Sequence, residues 1–184
     1  NAMTTDEFGR FAIGLSLAIT LSMVAGLGLA TAVLRFVPQY RARSEEPLAR
    51  GFLRFSSLAS LVSPTLVAVL GAAVIALATT LRPEMHSLYL FVSMALLVVM
   101  TLGEYVASAL RAFGFTVMSL APRDVFWRMA GCGFAVLVVW QGTQVNSAQV
   151  LVFLAAALTL LVLVQVIYAR ADFATAFSDQ PTST

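Results

Sequence analysis

An all-α integral membrane protein, a bundle of about five transmembrane helices, is the fold class this sequence predicts. Three observations carry it. Apolar residues make up 60% of the chain and charged residues 11%, with a mean hydropathy of +0.91; a soluble domain needs about 25% charged residues to cover its surface. The apolar residues fall into five long segments. The 11 basic residues, all of them Arg, gather between alternate segments.

The segments are Phe11–Leu34, Phe55–Thr80, Ser87–Leu110, Val125–Gln141 and Val145–Ala169. At about 1.5 Å per residue, helices of this length cross a hydrocarbon core of about 30 Å with some tilt. Val125–Gln141 is the shortest and needs Pro122 to Phe126 as an interfacial start. Asn1 and Ala2 before Met3 read as a cloning remnant, and residues 171–184 as a polar cytoplasmic tail.

Orientation follows from where the arginines lie. The 35–54 loop, the 111–124 loop, the neighbouring Arg128 and the tail region hold nine of them, and the opposite face holds only Arg10 and Arg82. The positive-inside rule places the nine in the cytoplasm, so the N-terminus is expected outside and the C-terminus inside. The cationic loop from Arg35 to Arg54 is then a topology anchor facing anionic membrane lipid. A net charge of +2 gives no reason to expect nucleic acid.

Small residues mark where helices should approach closely: Gly26 and Gly28, Gly71 to Ala73, Gly131 and Gly133. Cys132, the single cysteine, reads as a small buried hydrophobe. Pro64 interrupts the second segment, with Ser60 and Ser63 available to satisfy the freed carbonyl. It is a structural kink or a candidate hinge. Trp127 and Trp140 sit near opposite ends of the fourth segment, as an aromatic belt requires.

Few residues could carry chemistry. Glu104 is the one carboxylate inside a span, and Ser108 and Arg111 follow it at i+4 and i+7 on the same helical face. An acid in a membrane span is a functional candidate by default, here for ion coupling; the alternative is a packing pair with Arg35 or Arg111. Arg35, Arg111 and Arg128 stand at cytoplasmic span ends, where a guanidinium either snorkels as an anchor or binds phosphate oxygens in bidentate fashion. His86, beside Glu84 in a short external loop, makes neither a metal site nor a triad. No phosphate-binding Gly-x-x-x-x-Gly-Lys sequence and no membrane-enzyme constellation is present, so no enzyme, metal or cofactor is expected.

Three stretches, Glu7–Thr20, Gly26–Arg54 and Ala109–Met129, resemble the multidrug/oligosaccharidyl-lipid/polysaccharide exporter superfamily, and more closely its Wzx-type O-antigen and polysaccharide flippases. The run "GLGLATAVLRFVPQY" is similar to the exit of that family's second helix, and "ALRAFGF" to the link after its fourth, with Ala112 where Gly is usual. The resemblance implies helices two to six of a six-helix lobe, without the first helix and the second lobe, and the same N-out orientation. It implies part of a transporter of polyprenyl-linked oligosaccharide in a bacterial inner membrane, working by alternating access between two lobes. Five spans alone could not form that cleft, and the chain is expected to be a fragment or a shortened product. Arg35 lies in the stretch most specific to the family, at the level of a lipid pyrophosphate. The alternative reading is a small membrane subunit that partners another membrane protein in glycan assembly or export.

Overall fold

The computed structural model describes residues 3–82 and 87–176, with Arg123 and residues 169–176 described by backbone alone. Among the described residues it is all-helical: α1 (Thr5–Ala25), α2 (Leu29–Ala42), α3 (Glu46–Leu81), α4 (Leu88–Ala112), α5 (Thr116–Leu120), a π-helical turn (Ala121–Phe126), α6 (Trp127–Gln141) and α7 (Ser147–Ala176). Four helices are long and apolar enough to cross a membrane: α1, α3, α4 and the Ser147–Tyr168 part of α7. Their apolar faces stay largely uncovered. Large apolar side chains such as Leu70, Val74 and Leu77 on α3 and Val136, Val139 and Trp140 on α6 are exposed, an apolar expanse far beyond what a soluble monomer tolerates.

The helix α4 is the axis of the bundle. Half of its apolar window is buried, and it packs against α1, α2, α3, α5 and α7. One core cluster joins Ala18 and Ala25 of α1 to Leu96, Leu97 and Met100 of α4 and Leu151, Leu158 and Val162 of α7. A second joins Val33 and Val37 of α2 to Tyr105 and Ala109 of α4. Close approach is set by glycines. A Cβ on Gly14 would lie 2.6 Å from the Ser93 hydroxyl, and one on Gly103 would lie 3.1 Å from Val162. Gly71 and Gly131 serve as expected, against Met94 and Leu154; Gly133 has nothing within 4 Å.

The apolar segments and the helices differ in several places. Phe11–Leu34 is not one helix: it starts at Thr5, where the Thr4 hydroxyl accepts from the Glu7 N–H, and it ends at Ala25. Leu27 and Gly28 then adopt positive φ, 49° and 68°, which breaks the helix before α2 begins. The 35–54 stretch, expected as a loop, is almost wholly helical. α2 covers its first half, and α3 starts at Glu46 with Pro47 in its first turn, a position where the missing N–H costs nothing. α3 then runs unbroken through Pro64, which is buried. The third segment, Ser87–Leu110, begins with Ser87 as the N-cap and extends to Ala112.

The short fourth segment gains length on its N-terminal side. From Leu120 and Ala121 to Phe126 and Trp127 the backbone stays right-handed helical, so Thr116 to Gln141 is one continuous run containing a π turn. Pro122 is the cause: without an N–H it leaves the Met118 carbonyl without its helical donor. The buried Gln165 of α7 supplies one, its amide donating to the Met118 carbonyl at 3.0 Å and the Ser119 carbonyl at 3.1 Å. The last segment is helical from Ser147 to Ala176, past the expected end at Ala169 and into the expected tail; residues 177–184 and His86 lie outside the described residues. Cys132 is exposed on α6, not buried, because α7 covers the Gly131 side of that helix instead.

Candidate functional site

The break between α1 and α2 opens a cavity of about 360 Å³ among α1, α2, α3 and α4. Its polar lining comes from Ser22, Thr31, Ser60, Thr101, Glu104 and Tyr105. Hydrogen bonds from α3 and α4 hold the backbone at this break. The carbonyl of Ala25 at the end of α1 accepts from the Ser63 hydroxyl of α3 at 2.8 Å. The Ser22 carbonyl accepts from Gly26 N–H at 3.0 Å and from the Thr101 hydroxyl of α4 at 3.4 Å. α2 restarts from Gly28 with no side-chain cap.

Ser60 and Ser63 are the residues expected to satisfy the carbonyl freed by Pro64. Both are used otherwise: Ser60 donates to the Ser57 carbonyl at 2.9 Å, and Ser63 fastens the end of α1. Pro64 therefore stands one turn from Ser60 on the cavity wall, within a continuous helix.

Glu104 and Arg111 are brought together. Although two turns apart on α4, their side chains meet at 3.6 Å. The Arg111 guanidinium also donates to the buried Ser108 hydroxyl at 2.8 Å, while its Nε is buried with no hydrogen-bond partner among the described residues. Glu104 keeps 41% of its side chain accessible. Of the two pairings open in the sequence, the structure takes Arg111 and not Arg35.

Arg35 and Arg128 are exposed and do not join that pair. The Arg35 guanidinium lies 5.8 Å from the ring centre of Phe36 on α2, and Arg128 stands in the first turn of α6. Further along α2, Arg41 lies over the Phe113 ring at 5.2 Å, tying the end of α2 to the corner after α4. Arg50 pairs with Glu46 within α3 at 3.3 Å. α2 thus turns Val33 and Val37 to the core and Arg35 and Arg41 outward.

Three features of the fold and site lie beyond what residue spacing conveys. The Gly26-Leu27-Gly28 run reads as a packing face, but two glycines bracketing one residue also signal a break, and of Leu27 and Gly28 only the glycine accepts left-handed φ without strain. The Ser56–Tyr105 hydrogen bond, 2.8 Å and buried, ties α3 to α4 at Tyr105, which lines the cavity, and nothing in the spacing of two residues on different helices announces it. Gln165 carried a signal, since a lone amide in an apolar span must find a partner.

No family model, curated protein or solved structure matches this chain. What its fold and site define is a class: an all-helical protein with four helices able to cross a membrane, compatible with a multi-pass membrane protein, and with a carboxylate-bearing cavity at a helix break.

Proposed function

We propose that this chain is part of a membrane transporter for a lipid-linked, anionic glycan, a lobe of the flippase kind, and not an enzyme. In this reading the N-terminus is outside and the C-terminus inside, and the run from Thr116 to Gln141 is a fifth crossing helix. The membrane is a bacterial inner membrane. The observation that carries the proposal is the cavity of convergent polar groups among α1, α2, α3 and α4, because ligand sites in helical bundles form between helices around a few such groups. A cavity of about 360 Å³ suits one small headgroup and not an oligosaccharide, so the glycan itself would pass through a larger cleft made with a second lobe. The exposed Arg35 on α2 supports the same reading: a planar guanidinium with five donors is suited to a pyrophosphate.

The test uses the purified protein in nanodiscs and compares a polyprenyl pyrophosphate with the unphosphorylated polyprenol. The pyrophosphate should bind preferentially, and Arg35→Lys should weaken it by about tenfold, the loss of roughly one charge-assisted hydrogen bond. Equal binding of the two lipids would overturn the proposal and favour the interaction-subunit reading. Unchanged affinity in Arg35→Lys would make Arg35 an anchor.

A further inference from the structure

We propose that Glu7 is a pH-sensitive latch between the starts of α1 and α7: its ionised carboxylate holds the two helices together, and protonation loosens that end of the seam. This role lies outside the transport reading and the cavity at the α1–α2 break, and needs neither.

The contact is distant in sequence and short in space. The Glu7 Oε2 accepts from the Ser147 backbone N–H at 2.6 Å, across 140 residues. Ser147 is the first residue of α7, so this N–H is one of the donors at a helix start that lack a partner within the helix. The rest of the turn is satisfied locally. Asn146 Oδ1 accepts from the Gln149 N–H at 2.9 Å, and Gln149 Oε1 accepts from the Asn146 N–H at 3.1 Å, a reciprocal capping box. With its own cap in place, α7 uses the Ser147 N–H to bind another helix. The carboxylate also meets the positive pole of α7, equivalent to about half an elementary charge. Ser147 is buried, whereas the Glu7 side chain keeps 24% of its surface accessible. The bond is shielded and a proton can still reach the acid.

The surrounding charges leave Glu7 as the deciding group. On α1, Arg10 approaches Glu7 at 3.3 Å and Asp6 at 2.8 Å. α1 packs against α3, α4 and α7. α7 carries no charged residue before Arg170, the first titratable side chain of α4 is Tyr89 against Gly14, and α3 closes on Arg82. Arg128 stands at the opposite end of α6, and Glu84 and His86 lie outside the described residues. Of the two acids in the first turn of α1, Glu7 is the one bonded to α7.

The packing beside the latch is loose. An apolar cavity of about 180 Å³ separates Phe8 and Phe11 of α1 from Phe134 and Val138 of α6, and Val150, one turn beyond Ser147, also lines it. A gap supplies no dispersion attraction, so the polar contact carries much of the adhesion at this end. Deeper in the seam Gly14 meets Leu151 closely, which confines the loosening to the first turns. Hydrogen bonds to an ionised acceptor are about twice as strong as neutral ones. The latch is therefore complete where Glu7 is ionised and weakens as falling pH protonates it.

The experiment is hydrogen exchange of the first turn of α7, read by mass spectrometry on the purified full chain in nanodiscs with intrinsic exchange rates divided out. Protection in wild-type protein should fall about tenfold as the pH is stepped from about 7 to about 3, across the ordinary carboxylate range. Glu7→Gln, uncharged and of the same shape, should show the lower protection already at neutral pH and no pH dependence. Asp6→Asn should keep the wild-type profile. A flat wild-type profile, a pH dependence that survives Glu7→Gln, or one that vanishes in Asp6→Asn would each overturn the proposal. Should Glu7→Gln fail to fold, Glu7→Asp reads the same contact, since it keeps the charge but shortens the reach. Its protection at neutral pH should be low, and a wild-type value there would sink the idea.

Discussion

Gly14 offers the sharpest test of how α1, α4 and α7 come together. A Cβ at this position would stand 2.6 Å from the Ser93 Oγ, 2.9 Å from the Leu151 Cδ1 and 3.4 Å from the Tyr89 ring. The first of these contacts cannot relax easily, because Ser93 is fully buried and its hydroxyl donates to the Tyr89 carbonyl at 2.7 Å. Leu151 is also fully buried, but its methyl is the end of a flexible side chain. Overpacking of this kind costs about 1–3 kcal/mol, against which alanine recovers at most about 1 kcal/mol of helix propensity. Gly14→Ala should therefore destabilise the bundle by roughly 1–2 kcal/mol. Gly9, five residues earlier on the same helix with nothing within 4 Å of its would-be Cβ, is the internal control: Gly9→Ala should be neutral or stabilising. Adding Ser93→Ala to Gly14→Ala should recover about 1 kcal/mol or more, since it removes the shortest contact while costing one intrahelical hydrogen bond. The measurement is detergent-induced unfolding in mixed micelles followed by circular dichroism. If Gly14→Ala and Gly9→Ala shift the midpoint alike, or Ser93→Ala rescues nothing, the helices do not meet through Gly14.

Two further predictions concern the π turn and the orientation. Gln165→Leu leaves the Met118 carbonyl without the donor that Pro122 denies it, and should cost about 1–3 kcal/mol in the same unfolding assay; restoring the wild-type midpoint by combining it with Pro122→Ala would identify that carbonyl as the cause, and no recovery would refute it. For orientation, a cysteine at Ser44 in a Cys132→Ala background should be protected from an impermeant thiol reagent in intact cells, and one at Ser87 labelled; the reverse pattern would overturn the N-out assignment.

The cavity was only partly legible in the chain. Glu104 stood out because one ionised group among apolar residues is conspicuous at any level of description, and its helical spacing already put Ser108 and Arg111 on its face. What spacing could not give is the second half of the wall, since Ser22, Ser60 and Thr101 lie on three different helices and look like ordinary small residues in a membrane span. Arg35 was equally conspicuous, yet its side chain faces outward beside Phe36 and not toward Glu104. Charge can be counted along a sequence, whereas its direction depends on which face of α2 the core claims.

By itself the sequence determined the solvent and the segment type. Long apolar runs with so few charges leave helices as the only way to satisfy the backbone, and arginines gather where the chain leaves the apolar phase; both are consequences of composition and spacing over a local window. Only the tertiary structure decided that Phe11–Leu34 is two helices, that the cationic loop is helical, and that Gln165 completes a turn on α6's N-terminal side. Each depends on a partner distant in sequence: Ser63 and Thr101 hold the end of α1, Tyr105 and Ala109 receive α2, and Gln165 reaches back to Met118. A helix break inside an apolar run is stable only when another helix supplies the missing hydrogen bonds, and that supply is a property of the packed bundle.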